Sequence, residues 1–528
     1  ELAASGETGT DGFLRRLNLD ATLDDGTDER VVLPVPGGDT TVQRAALTLS
    51  FGETADGEWS GLLTADDLST ARFSARTARL TLGGLARDID RADARSITFA
   101  ADGVLSGIVA TRADWNEALG DEIVLDIDGD WRAGGPVRLA NASVSGNGLR
   151  ASLSGDVAGF AFTGDIAAEA ASIAPFSGLA GRPLRGALDF KANGTVEPLT
   201  GGFDLAIDSA ARDLAVGIEA ADRLLSGRST ITGRLARGED GLVTENLRIG
   251  NDRVELTADG GIASGAADFS YALSLSDLGL LTPRASGRLE ARGTARGADG
   301  LIGLTALARV PAGSLAGKRL SDAQIAFEGT LENGDLDGTL GGDAFLDGAR
   351  ARVSAGIALG DGTRRITDLD FAAGGARATG ALTLAPDGLI DGALTIDAAD
   401  ISTVAALFLA EASGALQADI SLSHAGGRQN ATVAADARSL RIDRTRLDRA
   451  EIEAAVADLF GVPAIDGLVK AQGLTVGGVA VATLDATART SGEATSFTAD
   501  AALANGARAR ARGALAPEGD GYRLSLAE

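Results

Sequence analysis

Apolar and polar residues alternate along most of the chain. Leu47, Leu49 and Phe51 are separated by Thr48 and Ser50, and Leu125 and Ile127 by Asp126. Phe203 and Leu205 flank Asp204, Leu394 and Ile396 flank Thr395, and Leu273 follows Tyr271 at the same interval. The run Leu416-Gln-Ala-Asp-Ile-Ser-Leu422 sets Leu416, Ala418, Ile420 and Leu422 in one phase. A period of two sends successive side chains to opposite faces of a strand, one apolar and one wet. Between the tracts stand Asp25-Gly26, Asp56-Gly57, Asp102-Gly103, Asn333-Gly334, Asp387-Gly388 and Asp391-Gly392. These dipeptides tolerate positive φ and predict tight hairpin turns. Recurrence every ~8–12 residues indicates an all-β architecture. One strand per ~11 residues predicts roughly 40–50 strands, more than an ordinary open sheet holds; stacked single file they would make a rod on the order of 200 Å.

A coarser repeat overlies this pattern. A short helix candidate is followed by glycine and a fresh alternating tract at four places. Ala174-Pro-Phe-Ser-Gly-Leu-Ala leads to Gly186-Ala-Leu-Asp-Phe190, and Ser276-Asp-Leu-Gly-Leu-Leu leads to Gly287-Arg-Leu-Glu-Ala291. Ile401 to Glu411 leads to Gly414-Ala-Leu-Gln-Ala418, and Val456-Ala-Asp-Leu-Phe-Gly leads to Gly467-Leu-Val-Lys-Ala471. Repeating modules of uneven length predict a stacked, quasi-linear body. The module boundaries fall at 1–172, 173–275, 276–400, 401–455 and 456–528.

Composition narrows the chemistry. The 528 residues include no cysteine, no methionine and one histidine, His424. Disulfides, thiolate metal sites and multi-histidine metal sites are therefore excluded. With 48 basic and 74 acidic residues the formal charge is −26, the wrong sign for a nucleic-acid binder. Glycine supplies 72 positions and aromatics only 4 %, so the apolar content is mostly small and aliphatic. The longest clean apolar run, Val404 to Ala410, is far short of the ~20 residues a membrane helix needs. A sequence opening at Glu1 without methionine reads as part of something longer, with any anchor or export signal outside it.

Candidate reactive groups reduce to structural ones. His424 closes an apolar-phase tract before a turn, and no nucleophile or orienting carboxylate is evident in the sequence for it. Asp126-Ile-Asp128-Gly-Asp130 opens like a calcium loop, yet Trp131 and Val137 stand where glycine and glutamate are needed. Asn333-Gly-Asp-Leu-Asp337 and Gly341-Gly-Asp343 lack the tandem recurrence of a calcium roll. Gly313-Ser-Leu-Ala-Gly317-Lys318-Arg319 is one residue short of a phosphate loop and carries arginine in place of the magnesium-binding hydroxyl. Carboxylate pairs such as Asp24-Asp25, Asp66-Asp67 and Asp121-Glu122 sit in turn-like contexts. No catalytic residue, cofactor or metal is assigned, and the chain reads as a non-enzyme.

The segment Ala171-Ser-Ile-Ala-Pro-Phe-Ser-Gly-Leu-Ala-Gly-Arg-Pro-Leu-Arg-Gly-Ala-Leu-Asp-Phe190 resembles the TamB family within the AsmA-like proteins. The likeness continues through Leu214-Ala-Val-Gly217, Leu224-Leu-Ser-Gly227, Leu275-Ser-Asp-Leu-Gly-Leu-Leu281 and Ser286-Gly-Arg-Leu289. It implies an elongated, curved, taco-like periplasmic β-groove, tethered in the inner membrane of a Gram-negative bacterium by an anchor outside this chain. It further implies a TamA-like outer-membrane barrel as partner, with roles in phospholipid transfer and in outer-membrane protein assembly or secretion. Neither the anchor nor a match to the barrel-docking end is present, and the family has no catalytic residues to transfer.

The expectation is therefore an all-β repeating groove with short helices at module boundaries. It would bind phospholipid acyl chains along Leu47, Leu49, Phe51, Leu125, Ile127, Phe203, Leu205, Leu273, Leu394, Ile396, Ile420 and Leu422. Two alternatives remain: a scaffold templating incoming outer-membrane strands by augmentation, and a cell-surface β-repeat adhesin with a filled core.

Overall fold

The computed structural model describes residues 1–9, 14–26, 29–33, 40–52, 57–239, 241–442, 445–461, 463–492, 494–518 and 521–527. These hold 35 strands in open antiparallel sheet, with four short helices: α1 (Asn116–Leu119), α2 (Ser177–Ala180), α3 (Glu219–Leu225) and α4 (Ser402–Leu407). Single 3-10 turns occur at Ala113–Trp115, Ala174–Phe176 and Leu278–Leu280. The all-β expectation holds. The strands are fewer than alternation predicts because many are long: Phe73–Arg87, Ser96–Ala110 and Leu301–Leu315 each run 15 residues. The chain divides into two units, Glu1–Gly261 and Ile262–Glu528.

Each unit is mainly a meander in which a strand pairs with its sequence neighbours, as at Leu149–Ala158 against Ala161–Ala170 or Asp335–Leu346 against Ala349–Gly360. Asn333-Gly334 forms one of the predicted turns, with both residues at positive φ (52° and 96°), the conformation whose twist matches that of a hairpin. Asp347-Gly348 and Asp361-Gly362 repeat it. Two predicted turns are instead inside strands. Asp102-Gly103 lies within Ser96–Ala110, where a side chain at Gly103 would press on Leu80 and Leu125. Asp391-Gly392 opens Ile390–Ala398, and a Cβ at Gly392 would lie 2.1 Å from the Ala381 carbonyl oxygen. In both, glycine serves close approach between strands rather than chain reversal. Asp56 of Asp56-Gly57 lies outside the described residues.

Helices or helical turns form at three of the four predicted places. The fourth, at Val456-Ala-Asp-Leu-Phe-Gly, is strand up to Ala457 and then a turn with Asp458 at φ 59°. Val456 continues the period-two phase of Ile452 and pairs with Ala431 and Ile465, so the ladder wins over helix formation. α1 and α3 lie outside the predicted helix positions, although the Glu219–Arg223 pair in α3 (2.9 Å, i to i+4) is a local helix signal.

The recurring helix-then-glycine scheme has a physical cause. Gly186, Gly287 and Gly414 have φ of 108°, 116° and 116°, where a side chain is strained. A Cβ there would stand 2.7, 2.4 and 2.6 Å from the carbonyl oxygens of Arg212, Ala312 and Ser439. At Gly186 and Gly414 the strand bulges as it leaves the helical loop. An aspartate at the loop's start ties the two ends together. Asp277 Oδ1 accepts from the amides of Gly279 and Gly287, both at 2.9 Å. Asp400 Oδ1 accepts from Ser402 N (3.0 Å) and Gly414 N (3.2 Å), and its Oδ2 from Ser402 Oγ (2.7 Å).

The Gly279 and then the Gly287 amide hold the Asp277 carboxyl below the usual carboxylate range. A depressed folded value means the carboxylate stabilises the fold above its unfolded pKa, and that contribution is lost as pH falls through the folded value. Asp277→Ala should cost about 1 kcal/mol as a lost cap near neutral pH. The difference from wild type should shrink on acidification, measured by urea unfolding at a series of pH values; an unchanged difference at low pH would refute the carboxylate's role.

A half-exposed apolar face as the candidate functional site

Antiparallel register decides which side chains share a face, because directly opposed residues point the same way. In the first unit one row reads Leu19, Leu49, Gly61, Leu82, Ala101, Ile127, Ala142, Leu153, Ile166, Ala192 and Ile207 across consecutive strands. No polar residue interrupts it. Leu47 and Leu125 lie in the adjoining row, linked through Leu63, Leu80 and Gly103. Phe51 and Leu205 share the row on the other side, which runs from Leu17 through both to Leu235. Phe203 lies one row farther out, opposite Val196.

The second unit repeats the arrangement. One row runs Leu273, Ala291, Ala308, Ile325, Gly342, Val353, Phe371, Ala378, Ile396, Ala418, Ala435, Ile452, Val469, Ala486, Ala499 and Ala511. Leu273 and Ile396 thus share a row although 123 positions separate them. Leu394 stands directly opposite Ile420, and Leu422 opposite Gly392, in the flanking rows of the same face. The other face carries Asp397, Gln417, Asp436, Glu451 and Lys470 in register. Asp126, Asp128 and Asp130 likewise alternate away from Leu125 and Ile127.

This apolar face is not a filled core. All twelve predicted residues are partly exposed, neither buried nor bare. In the second-unit row Ile325 is 51 % exposed and Ala418 8 %, with the rest between. Among the described residues the buried apolar side chains are alanines apart from Val42, Ile108, Phe162, Leu275, Val310, Leu320 and Leu346. Burial has gone to small residues while large ones keep contact with water. The accessible surface is 30384 Å² for 53.1 kDa. Even two separate compact bodies of half that mass would expose only about 21,000 Å².

Glycines let aromatic rings lie flat on the face. A side chain at Gly129 would strike the Phe99 ring, one at Gly293 the Tyr271 ring, and one at Gly329 or Gly338 the Phe327 ring. Rings that lie along the sheet in this way cover backbone where no Cβ stands.

In the second unit the face is concave. Arg284 Nη1 donates to the Leu409 carbonyl at 2.6 Å. Arg284 precedes strand Ala285–Gly287 and Leu409 lies three residues before strand Ala412–Ala425. Eight ladder steps separate those strands, about 38 Å on a flat sheet. Three residues of chain span at most ~11 Å, and an arginine side chain does not make up the remainder. The sheet of this unit therefore bends until the two walls stand across from each other. The apolar side is inward: Ala406 and Leu407 of α4 pack on Val310, Leu320 and Leu346 of the opposite wall. Lys318 Nζ meets Ser402 Oγ at 3.5 Å beside this contact. In the first unit α1 and α2 touch in a comparable way, with Gly178 against the Asp114 carbonyl.

His424 does have a partner: its Nδ1 lies 2.7 Å from Asp391 Oδ2, while its backbone N–H donates to Asp391 Oδ1 at 3.0 Å. The pair ties together the ends of two adjacent strands. The phosphate-loop-like segment at 313–319 is a hairpin, turning through Ala316-Gly317.

The fold and this face define a class: an open antiparallel β-structure in which each unit has a polar side and a half-exposed apolar side. Compared with protein-family models, curated proteins and solved structures, the chain matches none of them.

Proposed function

We propose that the chain shelters phospholipid acyl chains along its apolar face and passes them along it. The observation that carries this is the second-unit row, apolar at each of its sixteen positions and, except at Ala418, partly or fully open to solvent. Fifteen ladder steps make a path of about 72 Å. Each methylene taken from water contributes about 0.8 kcal/mol, and no polar residue in the row marks one position as better than the next. An acyl chain is then held without a fixed pocket and slides among near-equal sites, while the bend in the second unit gives it walls on two sides.

The likeness to the TamB family supports the wider reading. In it the protein is a periplasmic bridge from the inner to the outer membrane, working with a TamA-like barrel and supporting outer-membrane protein assembly. The test is solvent extraction and mass spectrometry of the chain purified without detergent after periplasmic expression. Phospholipid at several copies per chain is expected. A cooperatively folded sample with no more lipid than a control periplasmic protein overturns the reading.

A further inference from the structure

The second unit's apolar face is graded across its width. The helical turn Leu278–Leu280 and α4 stand at the same edge of the sheet, and Leu278 and Leu407 both pack on the cluster of Val310, Leu320 and Leu346. The opposite edge carries two-residue turns, as between Leu289–Ala298 and Leu301–Leu315, Lys318–Glu332 and Asp335–Leu346, and Ala349–Gly360 and Thr363–Ala373. Two positions from the long apolar row toward the helix edge, the face becomes alanine. Ala351, Ala373, Ala376 and Ala398 stand in direct register, and Ala437 and Ala450 follow beyond Leu416. All six alanines are buried. Small side chains let the walls of a bent sheet close on one another, and alanines already out of water offer an acyl chain nothing further to cover.

Toward the hairpin edge the same face turns large and open. Ile357, Ile366 and Leu382 share a row with Leu422 and Val456, with Gly392 and Ala431 between them in register. None of the five large residues is buried. Nearest the turns, a row reads Leu331, Leu336, Leu359, Arg364, Leu384 and Ile390. Arg364 is its one charged member, and the side chains beside it on that face are Leu359, Leu384 and Ile366. An exposed arginine among aliphatic neighbours lays its stem on the apolar surface and holds its guanidinium in water.

Length decides how a lipid fits. Arg364 and Phe371 of the long row lie about 20 Å apart along the strand, allowing for the bulge at Asp368. Half of a bilayer's hydrocarbon core, the depth one acyl chain fills, is about 15 Å. The open apolar width therefore takes one acyl chain laid along a strand, and the chain ends before the buried alanines. We propose that phospholipid lies across the strands of the second unit, its phosphate at the hairpin edge beside Arg364 and its acyl ends pointing to the helix edge. This rests on the acyl-chain reading above and adds an orientation to it. The arginine fork suits phosphate oxygens, and a lipid so placed moves sideways from strand to strand with its headgroup always at one edge.

The test uses the full chain and vesicles of phosphatidylglycerol carrying one of two photoreactive analogues, with the reactive group on the headgroup or at the acyl terminus. Cross-linked positions are mapped by mass spectrometry. The headgroup probe is expected mainly at the turn-proximal residues of the row that holds Arg364, and the acyl probe mainly at the row of Val353, Phe371 and Ile396. Headgroup cross-links at the α4 edge, or both probes spread alike over both edges, overturn the proposal while the acyl-chain reading stands. A chain that takes neither probe and yields no extractable phospholipid overturns that reading and this one with it.

Arg364→Glu should weaken headgroup cross-linking at that edge about fivefold or more. As an exposed substitution it should leave the fold intact. Arg365→Glu, next in the chain and turned to the polar face opposite Ala358 and Thr383, is the matched control and should keep the cross-links. Equal cross-linking in the two variants overturns the placement of the phosphate beside Arg364.

Discussion

Ile420→Asp is expected to leave the chain folded and to strip it of lipid. Ile420 lies between Leu394 and Val433 in direct register, in the middle of the second unit's apolar face, and is partly exposed. A carboxylate placed there reaches water and stays ionised, so the fold loses only partial burial of one aliphatic side chain, about 1–2 kcal/mol. The cost to an acyl chain is different. Its methylenes would have to displace that water and desolvate a charge, and burying an unpaired charge is far more expensive than the methylenes can offset. Lipid per chain should fall about tenfold or more, with a cooperative melt only a few degrees below wild type. Ser421→Asp, one residue away on the polar face opposite Ala393 and Thr432, is the matched control and should keep its lipid. Unfolding of Ile420→Asp at room temperature would mean a filled core, and unchanged lipid would mean that acyl chains do not use this row.

Much of the face was legible from alternation, because period-two patterning depends only on backbone geometry and each strand carries it alone. Leu394, Ile396, Ile420 and Leu422 fall on one face for that reason. What single-strand patterning does not contain is register. Leu273 and Ile396 reach the same row only through the summed offsets of the hairpins and bulges between them, and a bulge shifts phase without a strong sequence mark. Ser439 and Asp322, each at positive φ inside a strand, are unremarkable residues in the sequence. Aspartate-glycine pairs misled at Asp102 and Asp391 because glycine answers two needs, a positive φ in turns and room for a neighbour in strands, and composition does not separate them. The clasp of α4 on Val310, Leu320 and Leu346 had no local signal at all. Ser402–Leu407 carries alanine, valine and leucine that suit any apolar contact, and its partner wall is set by the bend of the sheet.

Gly414→Val should be the most destabilising single change at that clasp. Gly414 sits at φ 116°, a region closed to β-branched residues, and the new Cβ would meet the Ser439 carbonyl oxygen at 2.6 Å and its carbon at 2.8 Å. Backbone atoms of a paired strand cannot swing aside as a flexible side chain can. Either the bulge opens or the strand separates from Arg428–Ile442, and both outcomes break the Asp400–Gly414 hydrogen bond and the Ile401 N–H to Gly414 carbonyl link at 2.9 Å. Strain and lost bonds together should cost about 3 kcal/mol or more. The loss is directional: α4 is held on one side by Asp400 and on the other by its packing, so releasing the first frees the helix from the opposite wall. Hydrogen exchange at Ala405 and Ala410, whose amides bond within the α4 loop, should accelerate more than at the strand pair Asp335–Leu346 and Ala349–Gly360. Gly341→Ala tests glycine itself, since no atom lies within 4 Å of a Cβ there and its φ is ordinary; it should be neutral or stabilise by about 0.5 kcal/mol. If Gly414→Val unfolds in urea like wild type, the glycine after α4 is not there for the bulge. If both variants destabilise alike, the cause is loss of glycine as such rather than the crowding at Ser439.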